Sequence, residues 1–198
     1  MMYAIIFDIS SSSYLYIPLL IPEQELHLYS AGSIYLRKTD DSDIILYGDG
    51  PLFSVIDELC YVLEEVIKGT LELHHRYREK GIGYMCNEHI WNKLESSDEN
   101  NGLWAGTRYK LWGTGKGNSS TWLYTIDGKI FLDVSPYAPY APWDFDNEQE
   151  EQKYRSAGYE EYMKTYKPIA IFELSRETVQ QWFDYSKSIL KTMQKNSE

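Results

Sequence analysis

The sequence predicts an α+β fold: an antiparallel sheet with a central Asp-Gly hairpin, packed by two long amphipathic helices and a shorter helical segment. Three observations carry this. Asp127-Gly128 stands between two alternating apolar runs, and a two-residue type I′ loop needs positive φ at both central positions, which Asp-Gly supplies. Short β-rich runs punctuated by Ser, Pro, Gly and Asp fill residues 3 to 47. Two later stretches, 52 to 79 and 176 to 195, repeat apolar residues at the three-and-four spacing of a buried helical stripe.

Taken in order, YAIIFDI, YLYI, ELHLY, SIYLR and DIILY read as strands of an antiparallel meander. Gly48-Asp49-Gly50-Pro51 breaks that pattern and introduces a helix from Leu52 to Glu79, with Ile56, Leu59, Cys60, Leu63, Ile67, Leu71 and His74 on its inner stripe. Glu64 with Lys68 and Glu72 with Arg76 lie four apart in the favourable order, and Gly69 marks a kink or a close approach. A short amphipathic piece follows at 87 to 94, then a polar loop at 96 to 102 and a strand from Thr107 to Trp112. The hairpin register pairs Ile126 with Lys129, Tyr124 with Phe131 and Trp122 with Asp133 on one face. Leu123 faces Leu132 and Thr121 faces Val134 on the other, which reads as core. The first face is aromatic, and it either lies under a helix or receives a partner.

Beyond Pro142 the run WDFDNEQEEQ leads into a helix near Asn147, with Asp146 as N-cap and Glu148, Glu150 and Glu151 at the positive end of its dipole. Tyr159, Tyr162, Met163 and Tyr166 form its stripe and Pro168 stops it. Residues 169 to 174 are expected in the middle of a sheet, and Ser175 caps the last helix. Neither a repeat nor a dividing linker is visible, so residues 1–198 read as a single domain.

The chain is 43% hydrophobic with a formal charge of −11, and its Lys and Arg are scattered, which argues against binding a nucleic-acid backbone. Two cysteines, Cys60 and Cys86, are too few for a disulfide scaffold, and no secretion signal or membrane span is read, so a cytoplasmic protein is expected.

Chemistry-bearing patterns are sparse. GTGKGNSS at 113 to 120 lacks phosphate-loop spacing and leads into a strand. Asp40, Asp41 and Asp43 sit in one turn, where a solvated tip explains them as well as a cation does. Asp144, Asp146 and Glu148 resemble the start of a calcium loop, but its sixth position is Gln149 rather than glycine. Cys86 and His89, with His74 or His75, give an incomplete zinc set, because adjacent residues on a helix point about 100° apart. No metal and no cofactor are expected. The surplus of aromatic rings, 15% of the chain with 18 tyrosines, is the positive signal, since Tyr and Trp anchor protein interfaces. Tyr137, Tyr140 and Trp143 lie in a proline-punctuated loop beside Asp144 and Asp146, and Trp122 and Asp133 share the aromatic hairpin face; these seven form the expected contact surface.

The Trp122-Leu123-Tyr124 strand, the Asp127-Gly128 turn, Lys129-Ile130-Phe131-Leu132 and the exit Ser135-Pro136 to Pro139-Tyr140, in a small acidic α+β chain, resemble immunity proteins of bacterial polymorphic-toxin and contact-dependent-inhibition systems. The resemblance covers mainly residues 122 to 143. It implies a cytoplasmic protein without catalytic residues that binds a cognate toxin domain, often a basic nuclease, and blocks its active site or substrate groove. The alternative from the residues alone is a small hydrolase or carbohydrate-handling enzyme with an aromatic platform and paired carboxylates.

Overall fold

The computed structural model describes residues 3–40, 42–95, 104–113, 119–138 and 158–197, with the backbone alone at 93–95. The fold is α+β as expected, with its strands in two four-stranded antiparallel sheets rather than one. The first runs β1 (Tyr3–Ser10), β2 (Ser13–Leu19), β3 (Ala31–Arg37) and β4 (Asp43–Pro51) in sequence order. The second runs β5 (Lys110–Gly113), β6 (Ser119–Ile126), β7 (Lys129–Pro136) and β8 (Ala170–Leu174), also in order. Helices are α1 (Leu52–Ile67), α2 (His75–Arg78), α3 (Ile82–Glu95), α4 (158–165) and α5 (Arg176–Lys195).

All five expected hairpin pairs are present between β6 and β7, and the turn carries Asp127 at φ 51° and Gly128 at φ 79°. Four other expectations are corrected. The ELHLY run is no strand; Glu23–Glu25 is a 3-10 turn, followed by a turn closed by Ser30 N–H donating to His27 O at 2.9 Å. Residues 48 to 51 complete β4 instead of breaking it, with Asp49 at φ 27° taking the irregular step and Ser33 Oγ holding its carboxylate at 2.9 Å. The segment 169 to 174 supplies an edge strand, β8, paired only with β7.

The fourth correction is the long helix, which ends at Ile67. Gly69 adopts φ 75° and Thr70 N–H donates back to Glu65 O at 3.0 Å, a left-handed helix terminus that glycine accepts without steric cost. Leu71 and Leu73 then bury by alternation, because this piece runs beside β6: Leu73 N–H donates to Thr125 O at 2.8 Å and Thr125 N–H to Leu71 O at 2.9 Å. Of the two expected helical ion pairs, Glu64–Lys68 forms at 3.2 Å, while Glu72 turns to Arg78 rather than Arg76. α3 also starts earlier than expected, at Ile82.

One apolar cluster runs through both sheets. Ile5, Phe7, Leu15, Ile17, Leu36 and Leu46 enter it from the first sheet, and Leu123, Leu132, Val134 and Leu174 from the second. Between them lie Val55, Ile56, Leu59 and Leu63 of α1 and Val179, Ile189 and Met193 of α5. The Trp112 indole N–H donates to Val55 O at 3.3 Å, and Ser119 Oγ donates to Ile45 O at 3.2 Å, tying the second sheet to α1 and to β4. Ser175 caps α5 as expected, accepting from Thr178 N–H at 2.9 Å.

Candidate functional site

Of the seven expected contact residues three are described, and these three share no open surface. Trp122 is 0% exposed and Asp133 1%, so neither can meet a partner across this face. The aromatic side of the hairpin lies under α3, and Tyr162 of α4 reaches the end of β7 at Pro136 O. Trp104 packs edge-on against Trp122 at 5.7 Å, and Tyr166, just past α4, donates to Ser135 Oγ at 2.8 Å. Tyr137 is half-buried, with the Lys110 ammonium 5.8 Å from its ring centre. Tyr140, Trp143, Asp144 and Asp146 lie outside the described residues, as do the helix start at Asn147 and the glycine-rich residues 114–118.

Asp133 instead anchors a buried polar network. Its Oδ1 accepts from Ser135 Oγ at 2.6 Å and its Oδ2 from Tyr124 OH at 3.2 Å. Burial pushes the Asp133 carboxyl up to about 6, against the two hydroxyl hydrogen bonds, which favour the anion. Burial likewise raises the Tyr124 and Tyr166 phenols. Among the described residues no cation pairs with Asp133 and no second carboxylate hydrogen-bonds into the network. The Trp122 indole N–H, directly across from Asp133, has no acceptor among them either.

Among the described residues, no group of three or more His, Cys, Asp and Glu is placed to hold an ion; the calcium-loop residues Asp144, Asp146 and Glu148 lie outside them. Burial pushes the Cys86 thiol up to about 11, away from the thiolate that zinc binds. His89 stacks on Trp104 with ring centres 5.7 Å apart. His74 and His75 do come together, rings 4.2 Å apart, because His74 is the N-cap of α2 rather than a helical residue. The Asp40–Asp43 turn is also internally satisfied where it is described: Asp40 accepts from Ser42 N–H at 3.1 Å and Asp43 pairs with Arg37.

A second surface emerges that the sequence reading did not single out. On β1 to β4, alternate side chains enter the core and the others point outward. Strand register aligns the outward ones into two rows crossing all four strands: Ile6, Tyr16, Tyr35 and Ile45, then Asp8, Tyr14, Arg37 and Asp43. The first row is apolar and aromatic where a solvated sheet face normally carries polar groups. Ile6 is 46% and Ile45 39% exposed. Tyr16 and Tyr35 stack at 5.2 Å, and Tyr14 meets Tyr16 edge-on at 5.9 Å.

The second row fixes the rings of the first. Arg37 binds Asp43 through two N–H groups, at 2.5 and 2.9 Å, and Tyr16 OH donates to the same carboxylate at 2.9 Å. The Arg37 hydrogen bonds hold the Asp43 carboxyl below its ordinary value; burial, then Asp43, raise the Tyr16 phenol. The rings are thereby held in place before anything binds, which lowers the ordering cost of association. At the opposite end of the row, Asp8 is exposed and forms no ion pair among the described residues. The signal was present in the period-two alternation of β1 to β4, but Ile and Tyr read equally well as core.

An open cleft of about 370 Å³ lies where the end of α1 meets the hairpin turn and the start of α5, lined by Val66, Ile67, Glu72, Thr125, Arg176 and Val179. Its one carboxylate, Glu72, is engaged by Arg78, Thr125 Oγ1 and the Asp127 N–H. No helix among the described residues is long and apolar enough to cross a membrane. No family model, no curated protein and no solved structure matches the chain.

Proposed function

We propose that this chain is an immunity-type inhibitor, a cytoplasmic bacterial protein that binds a cognate toxin domain of basic surface and blocks its active site or substrate groove. The observation that carries the reading is the open outer face of the first sheet, with its aromatic row held by the Arg37–Asp43 pair. Tyr rings and Arg are the side chains that anchor interfaces, and a net charge of −11 would steer a basic partner toward the chain. The resemblance of residues 122 to 143 to immunity proteins supplies the partner class. Their tryptophan and tyrosine side chains on β6 act as core, and the contact role moves to β1 to β4.

The test is capture of the product of the adjoining reading frame by the tagged chain, repeated at raised salt and with Tyr35→Asp. The expected result is a salt-sensitive complex that Tyr35→Asp abolishes while far-UV circular dichroism stays unchanged. A complex that survives Tyr35→Asp intact would remove the sheet face from the interface. Absence of any complex with a folded chain would remove the inhibitor reading.

A further inference from the structure

The Asp133 network has a use that does not depend on the partner reading. Its hydrogen bonds form a one-way chain: Tyr166 OH donates to Ser135 Oγ, Ser135 donates to Asp133 Oδ1, and Tyr124 donates to Oδ2. The chain joins β6 and β7 to the residue just past α4. Gly83 of α3 leaves the space for it, since a Cβ there would lie 2.1 Å from Ser135 Oγ and 2.3 Å from Tyr166 OH. Tyr162 adds a bond to Pro136 O at 2.9 Å, and Asn87 Nδ2 reaches the same carbonyl at 2.9 Å.

Among the described residues, α4 and Tyr166 meet α3 through aromatic rings. Tyr159 stacks on Trp91 at 4.2 Å, and Tyr166 meets Tyr84 edge-on at 5.5 Å. A short element joined to its neighbours by few buried contacts belongs to the part of a fold that opens below the global unfolding free energy. Tyr124 from β6, Ser135 from β7 and Tyr166 past α4 face Asp133; Tyr162 of α4 and Cys86 of α3 stand around Tyr166, and Lys110 of β5 lies in the same cross-strand row, beyond Trp122. Opposite it on β8 is Ile171; Glu173, two residues on, pairs with Lys129 at 3.0 Å. His89 of α3 is stacked on Trp104.

We propose that Asp133 and the hydroxyls around it form a proton-binding site that tightens the docking of α4 and Tyr166 on the second sheet as pH falls below neutrality. Lifting Tyr166 and α4 would let water reach the carboxyl and return it toward its ordinary value, so opening releases a proton. By linkage, a state that holds the proton more tightly is favoured when protons are abundant. The sign follows from the raised folded value: the contribution of Asp133 to closure is fully present below its ordinary value of 3.8 and is lost as pH rises to about 6.

Hydrogen exchange of the 158–166 amides in the whole chain, read as protection factors, tests this. Wild type should show about 10-fold more protection at pH 5 than at pH 7.5, as the linkage relation gives for this window. Asp133→Asn, which keeps the shape and removes the charge, should show less than about 2-fold. A flat wild-type profile, or an equal pH response in Asp133→Asn, would overturn the proposal. Should the variant not fold, carbon-13 titration of the Asp133 carboxyl in wild type decides. A midpoint near 6 supports the site, and one below 4 sinks it.

Discussion

The two sheets share a strand count, an antiparallel sense and an up-and-down order, yet they bury different numbers of faces. The second is covered on both sides: α1 packs on β5 and β6 on the side of Leu123, while α3 packs on β6 and β7 on the side of Trp122, with Tyr166 bonded to Ser135 beside it. Among the described residues the first buries only one side and leaves Ile6 and Ile45 exposed on the other. The same residue chemistry therefore has opposite meanings in the two halves. Tyr124 is core because a helical layer closes over it, and Tyr35 is surface because none of the described elements does. Aromatic content alone does not locate an interface; the number of layers stacked on the sheet does.

That contrast can be broken or sharpened by substitution. The largest expected effect is Trp122→Ala, which empties a large site enclosed on both sides and should cost about 3–5 kcal/mol in urea unfolding. A loss below about 1 kcal/mol would mean the covering layer is loosely packed there. Next is Gly83→Ala. Alanine normally helps a helix, but here its methyl meets Ser135 Oγ and Tyr166 OH, so a loss of about 1–3 kcal/mol is expected, together with weaker α4 protection in hydrogen exchange. A gain in stability would show that α4 sits farther from α3. The smallest is Ile6→Thr on the open face, which should move stability by about 0.5 kcal/mol or less while weakening capture of the partner. A loss of 2 kcal/mol there would mean that something covers this face.

Much of the second half was legible because its signals are local. Asp127-Gly128 dictates its own φ angles, and the register of five residue pairs follows from where the turn sits. The Ser175 cap and the α5 stripe are similarly short-range. The failures are long-range. Leu71 suits a helical stripe and equally a strand beside β6; the decision lies with Thr125, far along the chain. The break between β4 and β5 has no residue signature, so one sheet was expected where two formed. Asp133 alternates like an outward residue and carries a charge, and only the tertiary layer of α3 and Tyr166 puts it inside. The open face was missed for the converse reason: Ile6, Tyr16, Tyr35 and Ile45 look like core.

The last helix closes the first strand. The Trp182 indole N–H donates to Asp8 O at 3.0 Å, Phe7 packs against Trp182 and Tyr185, and Asn196 Nδ2 reaches Gln24 O and Leu26 O at 2.7 and 2.8 Å. On the ribosome these partners emerge far apart in time. At ordinary elongation rates, β1 to β4 leave the exit tunnel on the order of ten seconds before α5. During that interval α1 can shield part of the inner face, but Phe7 and the β1 edge have no lid of their own. The sheet whose outer surface we assign to recognition thus leaves the ribosome before the helix that completes its first strand.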